Sequence, residues 1–216
     1  MSLALATGLF LKVDIIRKGG PVMVPIILCS IFALAIILER LMHLYKARAA
    51  MAKFVDDVIV ALKRNRLRDA LDACEQSSLP VAQILKAGIA QYGQTRQEIK
   101  EAVEEAGSFQ VPFLEKNLNT LATIAHVSPL LGLLGTVTGM VQVFQIIEQR
   151  ARALTPADPT VLAKGIWEAL ITTVAGLIVA IPTFVAYNFL VAKVQSLVVE
   201  MEMVATDAVN ILTQRK

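Results

Sequence analysis

The chain has 216 residues, of which 56% are hydrophobic, and its mean hydropathy of +0.61 is too high for an ordinary soluble domain of this length. Its formal net charge is only +3 and no basic stripe with interleaved aromatic residues occurs, which argues against nucleic-acid binding. Cys29 and Cys74 are far apart, with no second cysteine or histidine at ligand spacing, which argues against a disulfide framework, a zinc site or any other metal site.

Charged residues are absent from three long runs, residues 19–38, 117–147 and 169–192. Each run is long enough for a helix that rises about 1.5 Å per residue to cross about 30 Å of hydrocarbon. Residues 39–116, by contrast, contain 12 basic and 11 acidic side chains. The sequence therefore predicts an all-α integral membrane protein with three transmembrane helices and long cytoplasmic helical extensions.

The N-terminal part is predicted to be an amphipathic helix over residues 1–18 that lies in the membrane interface, since Leu5, Leu9 and Ile16 recur at helical spacing and Lys18 supplies a polar side. The first lysine follows the apolar stretch and no small-residue cleavage site is present, so the segment is expected to be retained rather than cleaved as a signal peptide. The sequence Gly-Gly-Pro breaks this helix, and the first transmembrane helix is placed at residues 19–40.

Residues 41–118 are predicted to form a cytoplasmic helical region, because apolar positions recur at helical intervals among charged ones. Residues 76–80 have the composition of a connection between helices. Thr95 and Glu98 have the spacing of a capping box, which favours a helix that begins there. This long helix is expected to continue unbroken into the membrane.

The remaining chain is divided into a second transmembrane helix at 119–147, a loop at 148–165, a third transmembrane helix at 166–192 and a C-terminal helix at 193–216. Lysine and arginine are slightly more frequent on the side of the membrane that holds residues 41–118 and 193–216 than on the side that holds residues 1–18 and 148–165. We therefore expect the N-terminus and the loop to be periplasmic, and the central helical region and the C-terminus to be cytoplasmic.

One face of the second transmembrane helix is almost free of bulky side chains. At 100° per residue, an arc of about 120° holds Pro129, Gly132, Gly135, Thr136 and Gly139. The spacing of Gly135 and Gly139 is typical of close helix packing in membranes. The hydroxyl of Thr136 has two possible roles, to satisfy a backbone carbonyl or to line a polar path.

The third transmembrane helix has a similar face, about 140° wide, that includes Glu168, Thr172, Thr173 and Gly176. Pro182 removes a backbone hydrogen bond and is expected to kink this helix. Glu168 is either a functional carboxylate within the span or an interfacial glutamate at the helix entrance, favoured there by the helix dipole.

His126 has two interpretations, a proton relay or a packed side chain bonded to one carbonyl. We find no nucleophile with a base, phosphate loop or metal cluster in the sequence, so no enzyme activity and no cofactor are predicted. Three helices cannot enclose a wet pore alone, so a path along these faces requires a homo-oligomer. The carboxylate that such a path needs at mid-membrane is expected to come from another chain.

The sequence from Leu131 to Met140, LGLLGTVTGM, resembles the signature of the MotA/TolQ/ExbB proton-channel family. The segment GIWEAL at 165–170, followed by Thr172, Thr173 and Gly176, is similar to the final membrane helix of that family, and the segment from Gly20 to Arg40 is similar to its opening. The resemblance covers about residues 10–210 and indicates the ExbB/TolQ-like branch.

This resemblance implies a pentamer around an ExbD/TolR-like partner with one membrane helix that carries an aspartate, in the bacterial inner membrane. It implies a rotary motor driven by H+, or by Na+, that powers a TonB- or Tol-type process through a TonB- or TolA-like protein. The implied ion-pathway residues are Thr136, Thr173, Glu168 and Thr172, and the implied packing residues are Pro129, Gly132, Gly135, Gly139, Gly176 and Pro182. The alternative is a passive membrane scaffold or assembly factor that uses the glycines for packing alone.

Overall fold

The structure, a computed structural model, describes residues 19–156 and 158–214. Within these residues the regular structure is entirely helical. The predicted interfacial helix at residues 1–18 lies outside the described part. The helices are α1 (Met23–Lys63), α2 (Leu67–Glu75), α3 (Pro80–Ala90), α4 (Arg96–Leu114), α5 (Leu118–Arg152) and α6 (Pro159–Thr213).

Three of these helices, α1, α5 and α6, are long and apolar enough to cross a membrane, as the sequence predicts. They contain 41, 35 and 55 residues, whereas about 20 residues suffice to span the hydrocarbon. At most 28% of each apolar stretch is buried in the single chain, as expected when lipid or another chain covers the rest. These three helices are therefore those of a membrane protein, and each is longer than the hydrocarbon requires.

The described residues form two compact units. One comprises residues 19–37 and 119–187 and contains the apolar runs, so we call it the transmembrane unit. The other comprises residues 38–118 and 188–214 and contains most of the charges, so we call it the charged unit. Helices α1, α5 and α6 each contribute residues to both units.

The charged unit has a core of bulky aliphatic side chains, among them Leu62, Leu85 and Ile99, each 1% exposed. The predicted capping box is confirmed at the start of α4, where the Thr95 N–H donates to Glu98 Oε2 at 2.8 Å and the Glu98 N–H donates to Thr95 Oγ1 at 3.3 Å. The predicted connection at 76–80 is also confirmed, since α3 begins at Pro80. Amphipathic patterning and capping therefore determine the helices here.

The expectation of one unbroken helix from Thr95 into the membrane is wrong. Helix α4 ends at Leu114 and α5 begins at Leu118. Between them Asn117 has a φ of 63°, a left-handed conformation that asparagine adopts more readily than most residues. Its Nδ2 donates to Glu39 Oε2 at 3.0 Å. A local turn therefore interrupts the helix before the apolar run.

The expected 18-residue loop at 148–165 is much shorter in the structure. Helix α5 continues to Arg152 and α6 already begins at Pro159, which leaves residues 153–158 as the link. Asp158 Oδ1 accepts a hydrogen bond from the Thr160 N–H at 2.9 Å, and a proline in the first turn loses no helical hydrogen bond. These start signals lie inside the segment that was expected to be a loop.

Candidate functional site

Glycines bring the backbones of α5 and α6 into contact in the transmembrane unit. A Cβ atom on Gly132 would lie 2.8 Å from the carbonyl oxygen of Thr172 and 2.9 Å from the Cα of Thr173. On the other helix, a Cβ on Gly176 would lie 2.6 Å from the carbonyl oxygen of Ser128. Because the neighbouring atoms belong to the backbone, they cannot rotate away, and only glycine fits at these two positions.

The same helix pair is closely packed at two further glycines. Gly135 leaves the space that the side chain of Thr172 fills, and a Cβ on Gly139 would lie 2.8 Å from the Cβ of Ala169. The two glycines with membrane-packing spacing therefore contact α6 of the same chain.

Two threonine hydroxyls converge on one backbone carbonyl at this contact. Thr172 Oγ1 donates to the Ala169 carbonyl oxygen at 2.7 Å and lies 3.1 Å from the Gly132 carbonyl oxygen. Thr173 Oγ1 donates to the same Gly132 oxygen at 3.0 Å. Thr172 is only 2% exposed, whereas Thr173 is half-buried at the border of the contact. Thr172 is thus enclosed between the helices, and Thr173 has one side free.

Thr136 lies one helical turn after Gly132 on α5 and is also half-buried. Its hydroxyl donates to the Leu133 carbonyl oxygen at 2.6 Å. Since Thr173 is bonded to Gly132, both Thr136 and Thr173 lie within one turn of the same carbonyl. The structure therefore brings these two predicted pathway residues to the same level of the helix pair.

Glu168 lies elsewhere on α6. It is half-buried, and its Oε1 would be 3.8 Å from a Cβ on Gly20, just before α1. Five residues separate it from Thr173, which turns it about 140° around the helix. The structure therefore places Glu168 beside the start of α1 and does not bring it together with Thr173.

The two prolines of the predicted packing set lie inside continuous helices. Pro129 is half-buried on α5, and Pro182 is exposed on α6, which runs without interruption from Pro159 to Thr213. Ser128, which sequence reasoning missed, is fully buried, and its hydroxyl donates to the Ile124 carbonyl oxygen at 2.7 Å. Its position one turn before Gly132, among the small residues of the same face, is the signal that could have identified it.

His126 is exposed and takes the arrangement expected of a packed histidine. Its Nδ1 lies 2.7 Å from the Ala122 carbonyl oxygen, and its ring meets that of Phe184 edge-on at 6.0 Å. Among the described residues, no three His, Cys, Asp or Glu side chains are grouped so that they could hold a metal ion.

Bulky apolar side chains point away from the contact between α5 and α6. Most of those on the outer faces of the two helices are more than 40% exposed, and they include Leu130, Leu133, Leu134, Val137, Val141, Phe144, Leu170, Val174, Ile178, Ile181 and Val185. The small and hydroxylated residues are thus at the contact, and the large ones are outside.

Comparison with known proteins shows which family the chain resembles. Residues 76–203 match the model of the MotA/TolQ/ExbB proton channel family. The chain is 36% identical to the putative biopolymer transport protein ExbB-like 3 of Synechocystis sp. over 79% of this chain and 80% of that protein. It is 32% identical to the Tol-Pal system protein TolQ of Haemophilus influenzae over 88% of this chain and 85% of that protein. It is 26% identical to the biopolymer transport protein ExbB of Neisseria meningitidis over 93% of this chain and 97% of that protein.

The chain therefore belongs to the MotA/TolQ/ExbB proton channel family, in its ExbB/TolQ-like branch. This is a family of membrane channel and transport proteins rather than a class of enzymes, and the chain is accordingly an inner-membrane protein.

Proposed function

We propose that this chain is the channel-forming subunit of a proton-driven rotary energy transducer in the inner membrane. It works as a homo-oligomer, a pentamer by family resemblance, around an ExbD/TolR-like partner with one membrane helix. The complex powers a TonB- or Tol-type envelope process such as active uptake. The N-terminus and the link between α5 and α6 face the periplasm, and the charged unit faces the cytoplasm.

One observation carries the proposal: Thr136 and Thr173, both only half-buried, lie within one turn of the Gly132 carbonyl, inside the uncharged stretches of α5 and α6. Hydroxyls at this depth offer an ion or a carboxyl group polar contacts that the surrounding leucine and valine side chains lack. The Thr136 hydroxyl donates within its own helix, so the contact between α5 and α6 does not need it.

The pathway requires a carboxylic acid at the depth of Thr136 and Thr173, and this chain does not supply one there. Residues 127–147 of α5 contain no ionisable side chain, and Glu168 on α6 is turned away from Thr173. A group that binds and releases a proton at mid-membrane must then come from a partner, and an aspartate on a single helix inside the ring of copies fits this need. Glu168, near one end of the span, is assigned to coupling at the entrance of the pathway.

The energy that one proton supplies limits how many hydrogen bonds can be broken in one step of the rotation. One elementary charge that crosses about 100 mV releases roughly 2.3 kcal/mol. A hydrogen bond between membrane helices is worth about 0.6 kcal/mol on average. The energy of one proton therefore corresponds to about four such hydrogen bonds between the partner and the threonines, which is sufficient for a rotation step past a neighbouring subunit.

The test replaces the pathway residues one at a time in the complex with its single-span partner. Thr136→Val and Thr173→Val keep the shape of the side chain and remove the hydroxyl, and Glu168→Gln removes the charge. We expect each change to abolish proton-driven activity in energised membrane vesicles while the complex still purifies with its partner.

Thr138→Val is the matched control. Its hydroxyl also donates to carbonyls of its own helix, those of Leu134 at 2.9 Å and Gly135 at 3.1 Å, but Thr138 is exposed on the opposite side of α5 from Thr136. Activity should survive in this variant. If the pathway variants instead lose assembly and activity together, the passive scaffold is the better description.

A further inference from the structure

We infer that α5 and α6 of one chain stay together as a single rigid unit throughout the working cycle, so that all motion takes place between this unit and its neighbours. The inference rests on the proposed function, because it concerns how the proposed motor moves. The rigid unit consists of the segments 128–143 and 165–176, where the two helices are in contact.

The first reason is the number of levels at which the helices interlock. From one end of the contact to the other, backbone or small side chains meet at Gly176 with Ser128, Gly132 with Thr172, Gly139 with Ala169, and Gly165 with Val143. The two helices are thus held along about four turns of α5 and about three turns of α6, and neither can slide past the other without a clash against backbone atoms at Gly132 and Gly176.

The second reason is that the polar groups of the contact are satisfied inside it. Thr172 is enclosed, and its hydroxyl lies within hydrogen-bond distance of carbonyls of both helices. Thr173 donates across the contact to Gly132. Separation of the helices in a lipid environment would leave these groups without water to replace the lost partners.

The outer faces of the same helices have the opposite character. Their bulky apolar side chains are exposed in the single chain, so their contacts are with lipid or other chains rather than with the backbone of this chain. Contacts of this sort can be exchanged in small steps. The moving surfaces are therefore the outer faces and the border with Thr136 and Thr173, and Thr172 is a positioning residue that holds the unit closed.

A disulfide across the contact tests the inference. A Cβ on Gly165 would lie 3.9 Å from the Cβ of Val143, and disulfides have Cβ atoms about 3.5–4.5 Å apart. The Cγ2 of Val143 that would obstruct the new side chain is removed by the same design. The double variant V143C/G165C should therefore form a disulfide within one chain, which stays at the monomer position on a denaturing gel without reductant.

Activity is measured in energised membrane vesicles that contain the complex with its partner, before and after reduction. We expect the oxidised double variant to keep more than half of the activity of its reduced form, with V143C and G165C alone as controls that cannot close the bridge. A loss of half or more that reductant restores would overturn the inference, because the helices would then have to separate. A dimer-sized band would overturn it as well, since the two faces would belong to different copies.

A second measurement covers the case in which the reduced double variant is already inactive. Hydrogen exchange is then followed in the wild-type complex, working and stalled by dissipation of the proton gradient. Equal protection of amides 128–139 and 169–176 in both states supports the rigid unit, and faster exchange in the working state overturns it. If the wild-type complex shows no proton-driven activity at all, the proposed function fails, and the inference fails with it.

Discussion

The two units of this chain pack their helices by opposite rules. In the charged unit, large aliphatic residues such as Leu85 and Ile99 are buried and charged residues are exposed. In the transmembrane unit, the contact between α5 and α6 consists of glycines, Ala169 and Thr172, while leucines and phenylalanines are exposed. Water drives bulky groups inward in the first case, whereas lipid gives them no reason to leave the surface in the second.

The same substitution should therefore have different effects in the two units, and the largest contrast is expected for a leucine. Leu85→Ala removes a side chain that is 1% exposed and should destabilise the charged unit by about 2–5 kcal/mol. Leu133→Ala removes one that is 56% exposed and should change stability little. Thermal unfolding of the two purified variants in detergent measures the difference. A comparable loss for Leu133→Ala would show that another chain covers this face.

Replacement of a helical glycine by alanine should lower the stability in the transmembrane unit and raise it in the charged unit. Gly132→Ala forces a Cβ against the backbone of α6 and should cost about 1–3 kcal/mol. Gly107→Ala in α4 meets only the Cδ1 of Ile84, 3.8 Å away, and should gain about 0.5–1 kcal/mol because alanine restricts the unfolded chain. The melting temperature should fall in the first variant and rise in the second. Equal shifts in the same direction would contradict the proposal that the transmembrane unit packs through close backbone contacts and the charged unit through bulky side chains.

A smaller loss is expected for the enclosed hydroxyl. Thr172→Val keeps the shape that fills the space at Gly135 but leaves Gly132 with one donor fewer, and should cost about 0.6–1.7 kcal/mol, the range between average and strong hydrogen bonds of this kind. Thr138→Val, whose hydroxyl bonds only within α5, serves as the control and should be nearly neutral. Denaturation of both variants in mixed detergent is the measurement, and equal stability would show that the contact does not depend on this hydroxyl.

The last contrast concerns reactivity within the charged unit. Burial raises the pKa of the Cys74 thiol to about 11, and the nearby ammonium group of Lys86 opposes part of this shift. The folded thiol is then protonated at pH 8, so a water-soluble thiol reagent should label it far more slowly than in the unfolded chain. Because the folded pKa is above the unfolded one, the stability gained from the neutral thiol is complete below about pH 8.5 and is lost as the pH rises towards 11.

Replacement of Lys86 sharpens this test. Lys86→Gln removes the positive charge that lowers the pKa of Cys74, together with the ion pair to Glu75 at 3.0 Å. Labelling in the folded state should become slower still. Faster labelling would show that the ion pair mainly keeps the thiol covered.

The three membrane-crossing helices, the capping box at Thr95 and the small-residue faces of α5 and α6 could all be predicted from the amino-acid sequence. All of these depend on local composition and on the period of a helix, which a single chain segment displays. The resemblance of residues 131–140 and 165–173 was sufficient to identify the family before any coordinates.

What the small faces contact could not be predicted from the sequence and is known only from the coordinates. The same pattern of glycines and threonines fits a pore lining and a helix contact equally well, because periodicity says which residues share a side and not what that side meets. The coordinates place Gly132, Gly135 and Thr172 against the partner helix of the same chain and leave Thr173 at the border. They also place Glu168 beside Gly20, since the neighbours of a helix face are set by packing between distant segments.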